Sequence, residues 1–253
     1  MSQAENKQPV ARYAIRLGDD ALITGQRLCE WSGQAPTLEE DLALANVGLD
    51  FLGRTRMLYG YAGSITGQDE DELAGLRDVS AFENLLLVEL PRGDFAFTMA
   101  RQYLLDAFED LFFAALQRST DTNLAAIAEK TVKEVRYHKR RSLEWMRRLG
   151  LGTDDSRQRL QAAVDELWGY VDELFAMDQL EDALLTDGVA VDRAQLAAPW
   201  RSEVDAVLND VGIRVPGSDW QVSGGRTGVH TEHLGHLLSE LQFMQRAYPG
   251  ASW

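Results

Sequence analysis

Proline marks where a helix cannot run, and this sequence leaves two very long intervals free of it. Between Pro36 and Pro91 lie 54 residues without proline, and between Pro91 and Pro199 lie 107. A proline inside a helix costs about 3 kcal/mol, so these intervals are where long helices are expected. The turn pairs that build β-hairpins are almost absent: Asp187-Gly188 is the only Asn-Gly or Asp-Gly step,. The chain is predicted to be all-α. With 253 residues, 45% of them apolar and 26% charged, it is long enough for one sizeable core. A single domain over 1–253 is expected, with residues 1–10 a loose polar tail.

Helical periodicity begins near Tyr13 and passes through Leu17, Ala21, Leu28 and Trp31,. Thr37-Leu-Glu-Glu40 has the form of a capping box, which opens a second helix running to about Ile65. Ser80-Ala-Phe-Glu83 has the same form and is expected to open a short helix before Pro91. Asp94 is the N-cap of a third long helix to about Arg118, and a fourth is expected from about Asn123 to Leu149. Thr153 caps a further helix to about Met177. Shorter helices are expected over Asp192–Val211 and Thr231–Tyr248, separated by a Gly-, Ser- and Pro-bearing loop at 212–230.

The formal charge is −15 and the isoelectric point is near 4.7. So acidic a surface repels phosphate backbones and anionic lipid, which argues against nucleic-acid and membrane partners. The longest uncharged run, Met57 to Gln68, has 12 residues, fewer than the roughly 18 that span a bilayer. Met1 to Ala11 has no apolar stretch, so no secretory leader is expected. One cysteine, Cys29, cannot form an internal disulfide, which fits a reducing cytoplasm.

Two helix hairpins follow from these boundaries, turning near residue 35 or 36 and near residue 121. Reflection through the first turn sets Asp50 level with Asp20, and reflection through the second sets His138 close to Asp106. This is the layout of a ferritin-like di-iron bundle, in which two helices each give a carboxylate and two give Glu-x-x-His. The ligand set is incomplete here. The second helix reads Asp50-Phe-Leu-Gly53, with glycine in the histidine position. The fourth reads Val135-Arg-Tyr-His138, with valine in the glutamate position. Asp20, Asp50, Gly53, Asp106, Val135 and His138 are therefore expected to mark a vestigial di-iron pocket. No metal, cofactor-binding or catalytic residue is expected in this chain. Carboxylates left without a cation need other partners, and Arg16, Arg54 and Arg101 are the candidates.

Several stretches resemble the C subunits of phenylacetyl-CoA 1,2-epoxidase. They are Arg16-Leu-Gly-Asp-Asp20, Leu28-Cys-Glu-Trp31, Asp41-Leu-Ala-Leu-Ala-Asn46, Asn84-Leu-Leu-Leu-Val-Glu89, Ala100-Arg-Gln-Tyr103, Lys133-Glu-Val-Arg-Tyr-His138 and Gly228-Val-His-Thr-Glu-His-Leu-Gly235. The resemblance runs from about Tyr13 to Trp253. It implies a ferritin-like four-helix bundle with additional helices, acting as the non-catalytic subunit of a monooxygenase in aerobic phenylacetate breakdown. It also implies partners: a catalytic A subunit of the same fold that carries the di-iron site, a small B subunit and a reductase.

Other features have plainer expectations. His230, His233 and His236 fan apart at successive i, i+3 steps and are expected to serve capping, packing or surface roles. Gly224-Gly-Arg-Thr-Gly228 lacks the P-loop ending and is expected to be an irregular loop touching a partner. The cations from Lys133 to Arg148 are expected to form a solvated face, with an acidic partner or coenzyme A phosphates as the functional alternative. Tyr103, Phe108, Phe112 and Phe113 are expected in the core. Two other function classes stand beside the structural-subunit reading: an autonomous ferritin-like oxidase or hydroxylase with an unusual ligand set, and a free-standing helical binding protein.

Overall fold

A computed structural model describes residues 7–217 and 220–251. Among them all regular structure is helical, as the proline spacing requires. The helices in chain order are α1 Gln8–Cys29, α2 Leu38–Thr66, α3 Glu70–Gly75, α4 Leu86–Glu89, α5 Phe95–Leu116, α6 Thr122–Gly150, α7 Asp154–Leu167, α8 Gln179–Thr186, α9 Ala197–Asp210, α10 Glu232–Leu241 and α11 Phe243–Ala247. The chain divides into two compact units. One holds Met1–Pro91 and Gly224–Trp253, and the other holds Arg92–Ser223. Each contains one long antiparallel hairpin, α1 with α2 and α5 with α6, the helix pairs from which a ferritin-like bundle is built. No described helix is long and apolar enough to cross a membrane.

Most boundaries follow from caps. Thr37 Oγ1 accepts from Glu40 N at 3.4 Å, and Asp94 Oδ1 accepts from Phe97 N at 2.8 Å. Asp121 caps α6 and Thr153 caps α7. Four expectations need correction. Residues 8–10 are not tail but the first turn of α1, because Pro9 at the start of a helix loses no intrahelical bond,; residues 1–6 lie outside the described residues. Ser80 opens no α-helix: residues 79–81 form one tight turn and Glu83 is drawn to arginines instead. The helix begun at Thr153 ends at Leu167, and tight turns carry the chain on to Leu174. The last helix breaks at Gln242 into α10 and α11.

In the first unit α1 is buried around nearly its whole circumference. It reaches α2 at its glycines: a Cβ on Gly18 would lie 2.4 Å from Tyr59 Cε1, and Gly25 lies against Gly48 and Leu52. In the second unit the core is aromatic. Tyr103, Phe108, Phe112 and Phe113 are all buried, as expected. The Phe175 ring packs edge-on to both Phe108 and Trp200, and Trp200 Nε1 donates to Leu104 O at 3.0 Å.

The close approach at Gly18 makes a direct test. Gly18→Ala should force Tyr59 aside and destabilise the fold by about 1–3 kcal/mol. Thermal unfolding measures it, and an unchanged midpoint would contradict the tight α1–α2 seam.

Candidate functional site

The first unit contains a buried acid–base network. Asp19 is fully buried. It accepts from Tyr59 Oη at 2.5 Å, from Glu83 N at 2.8 Å, and from both terminal nitrogens of Arg77. Burial, then the Asp19 charge, pushes the Tyr59 hydroxyl well above its ordinary pKa, so Tyr59 stays a donor. Asp20 accepts from Leu85 N at 2.7 Å and from Arg226 Nη2 and Nη1 at 2.7 and 3.1 Å. Arg226 Nη1 also donates to Glu83 O at 2.6 Å. Arg16 is paired with Glu83.

A second cluster surrounds Glu89, which is fully buried on α4. Its carboxylate takes Asn84 Nδ2 at 2.9 Å, Thr231 N at 2.6 Å and His230 Nδ1 at 2.7 Å. His230 Nε2 lies 2.8 Å from Phe82 O. Both ring nitrogens face acceptors, a carboxylate and a carbonyl, so both must carry protons and the ring is an imidazolium. Desolvation works against that charge. The bonds to Glu89 and Phe82, with the Glu89 and Asp19 charges, outweigh it and hold the His230 pKa above its usual value.

The Gly-rich loop is explained by the same network. A Cβ on Gly225 would sit 2.0 Å from Asn84 O, and one on Gly228 would sit 2.4 Å from Ser80 O with φ at 75°. Only glycines let this strap lie flat on residues 80–84 and deliver Arg226 and His230. The loop packs on residues 80–84 of its own chain, with Thr227 and Val229 left exposed. His233 is half-buried and His236 exposed, so the three histidines do not converge.

In the second unit the centre of the α5–α6 hairpin holds the fully buried carboxyl of Asp106. Asp106 accepts from Gln102 Nε2 at 2.6 Å and Ser142 Oγ at 2.7 Å. Burial pushes its pKa up to about 7 and nearby Glu109 adds to this, while His138, Ser142 and Gln102 pull the other way. Val135 and His138 are both buried on the facing helix. Lys139, the residue after His138, binds Asp110 and Glu203.

These positions revise the first-hairpin geometry. The pairing of Gly25 with Gly48 and Leu52 puts the α1–α2 turn later than residue 36, because tight turns carry α1's path on to Gln34. Asp20 and Asp50 are thus about one helical turn out of level. Asp50 and Gly53 lie half-buried, and a Cβ on Gly53 would meet open space. The buried face of α2 carries Phe51 and Arg54 instead, with the guanidinium 4.5 Å from the ring centroid. One residue of register is 100° of rotation, enough to make this exchange. The arginines make contacts the sequence does not announce. Asp20 is met by Arg226, and Arg16 pairs with Glu83. Arg101 is buried with its guanidinium 5.9 Å from the Phe97 ring centroid. Among the described residues Asp106 receives an amide and a hydroxyl rather than a guanidinium.

A di-iron group needs several carboxylates and imidazoles with open lone pairs. Among the described residues no group of three or more His, Cys, Asp or Glu is arranged to hold a metal. Asp19, Asp20 and Glu89 are saturated by donors of their own chain. The residues present do not fit that group.

Two measurements test this electrostatic account. Arg226→Met strands the Asp20 carboxylate and should cost about 3–5 kcal/mol in chemical denaturation. Adding Asp20→Asn should recover a good part of that; a purely additive double variant would show that the two do not interact. Asp106 has a folded pKa above its unfolded one, so the native state holds the extra proton between about pH 4 and 7. Stability should therefore fall as pH rises through that window, by an amount on the order of a few kcal/mol. Asp106→Asn should remove that slope, and an unaltered pH profile would refute the buried neutral acid.

The whole chain, residues 1–253, matches the family model described as phenylacetic acid catabolic protein. It is 50% identical over 242 residues to the C subunit of the 1,2-phenylacetyl-CoA epoxidase of Escherichia coli strain K12, covering 95% of this chain and 98% of that protein. Residues matched from end to end, at half identity to a protein of nearly the same length, make this chain a member of the phenylacetic acid catabolic protein family.

Proposed function

We propose that this protein is the non-catalytic structural subunit of a phenylacetyl-CoA epoxidase, a multicomponent monooxygenase. Its partners are a catalytic A subunit of the same fold that holds the di-iron centre, a B subunit and a reductase, and its place of action is the cytoplasm. The observation that carries this reading is the occupation of the buried carboxylates by Arg226, Arg77 and His230. A ferritin-like chain whose acids are spent on internal cross-links has no donor set to offer iron, while its bundle remains intact as a platform. The half identity to an epoxidase C subunit supports the assignment to that assembly.

The test is reconstitution. Mixed with the A subunit, this chain should elute as one stable complex with more than about 2,000 Å² of buried surface. Omitting it from a mixture of A, B, reductase and NADPH should lower phenylacetyl-CoA epoxidation at least tenfold. Full turnover without it, or two iron ions per chain after growth in ample iron, would overturn the proposal.

A further inference from the structure

Helix α6 carries a charge distribution opposite to that of the protein. From Lys133 to Arg148 there are seven lysines and arginines against two glutamates, in a chain of net charge −15. At 100° per residue, Lys133, Arg136, Tyr137, Arg140, Arg147 and Arg148 fall within about a third of the helix circumference. All six are exposed, while Val132, Val135, His138, Ser142 and Met146 are buried on the other side. The cations therefore form one stripe rather than spreading around the helix.

The chain itself neutralises this stripe poorly. Lys139 leans to its edge and is held by Asp110 and Glu203, and Arg148 is paired with Glu144. Arg136 and Arg147, both exposed, reach acids only at 3.6 and 3.7 Å. Lys133 and Arg140 have no ion pair among the described residues, and each is one turn from Arg136, where like charges repel. At the centre stands Tyr137, 47% exposed. Tyrosine flanked by arginine is the composition of a binding anchor rather than of an ordinary solvated surface.

We infer that the Lys133–Arg136–Tyr137–Arg140 face of α6 is a docking surface for an acidic face of another protein subunit of the assembly. The inference rests on the complex membership proposed above and adds where, and with what chemistry, one partner binds. Charge complementarity selects the partner class. The stripe lies on the convex outer face of a helix, where six exposed side chains offer no walls to enclose a free phosphate or a coenzyme. A nucleic acid would meet the −15 charge of the surrounding molecule,. A protein surface with spaced carboxylates matches single lysines and arginines set one turn apart and accommodates Glu144 between them.

The experiment titrates each other purified subunit of the epoxidase against the intact protein at 50 and 300 mM salt. Wild type is compared with Lys133→Glu, Arg140→Glu and Tyr137→Ala, and with Arg56→Glu as a charge-matched control on α2, where Arg56 is 76% exposed. These side chains are exposed, so unfolding midpoints should be unchanged. One subunit should bind each α6 variant at least tenfold more weakly, with an affinity for wild type that falls steeply with salt, while Arg56→Glu binds normally. If every subunit binds the α6 variants as it binds wild type, the docking face is wrong and complex membership stands. If wild type binds no other subunit, both readings fall. Salt-sensitive self-association, or coenzyme A binding, that is lost in the same variants would assign the face to a different occupant and overturn the inference.

Discussion

The backbone from Phe82 to Leu85 has no helix to satisfy it, and the first unit is organised around that debt. Buried amide and carbonyl groups left unpaired cost about as much as a lost hydrogen bond each. Here Asp19 takes the Glu83 N–H and Asp20 takes the Leu85 N–H, while Arg226 and His230 donate to the Glu83 and Phe82 carbonyls. Two acids on α1 and two cations from residues 226–230 thus do for this stretch what a helix ladder does elsewhere. The carboxylates and cations also neutralise one another across the segment. The α1 helix, residues 82–85 and the strap that starts at Gly224 are consequently one polar assembly, drawn from parts of the chain 206 residues apart.

The second unit solves the problem of buried polarity differently. Its long hairpin needs no outside segment, because Asp106 is met by Gln102 on its own helix and Ser142 on the facing one. Asp106 itself adds no buried charge when it holds its proton. Around it the core is built from aromatic rings, with Trp200 and Phe175 packed together and Phe108 against Phe175. One hairpin retains charge by pairing it, and the other holds a carboxyl that burial disposes toward neutrality. In both, the oxygen lone pairs are committed to donors of the chain.

The long helices were legible because proline exclusion and capping act locally: Thr37, Asp94, Asp121 and Thr153 sit where the chain turns, and each caps within three residues. The Asp106–His138 neighbourhood was within reach for the same reason, since α5 and α6 are joined by a short turn. Asp50 and Gly53 were placed on the wrong face because the α1–α2 loop adds tight turns whose length has no simple signature, and one residue of error rotates a helix by 100°. Arg226 and His230 were harder still. Their partners are more than 140 residues away, and nothing in the local pattern names Asp20 or Glu89. Two local signals were present. Glycines at 225 and 228 on either side of an arginine mark a backbone pressed against something, and Asp69-x-x-Glu72, a reciprocal capping box, likewise announced α3.

Why such a network persists in place of an apolar seam follows from its double duty. A buried ion pair can often be replaced by hydrophobic residues at no loss, provided both partners change together. That exchange is closed at Asp20 and Arg226. Replacing both with apolar side chains takes the Asp20 acceptor from the Leu85 N–H and the Arg226 donor from the Glu83 carbonyl, in a stretch that no helix ladder serves. Removing either one leaves a buried charge as well. At Glu89 the same holds for the Thr231 N–H that opens α10 and for the His230 ring. Each acid is therefore fixed by at least one backbone group in addition to its cation. A metal ion competing for these carboxylates would have to break backbone hydrogen bonds and displace a guanidinium or imidazolium in the same step, and that combined cost makes Asp20 and Glu89 poor ligands for iron.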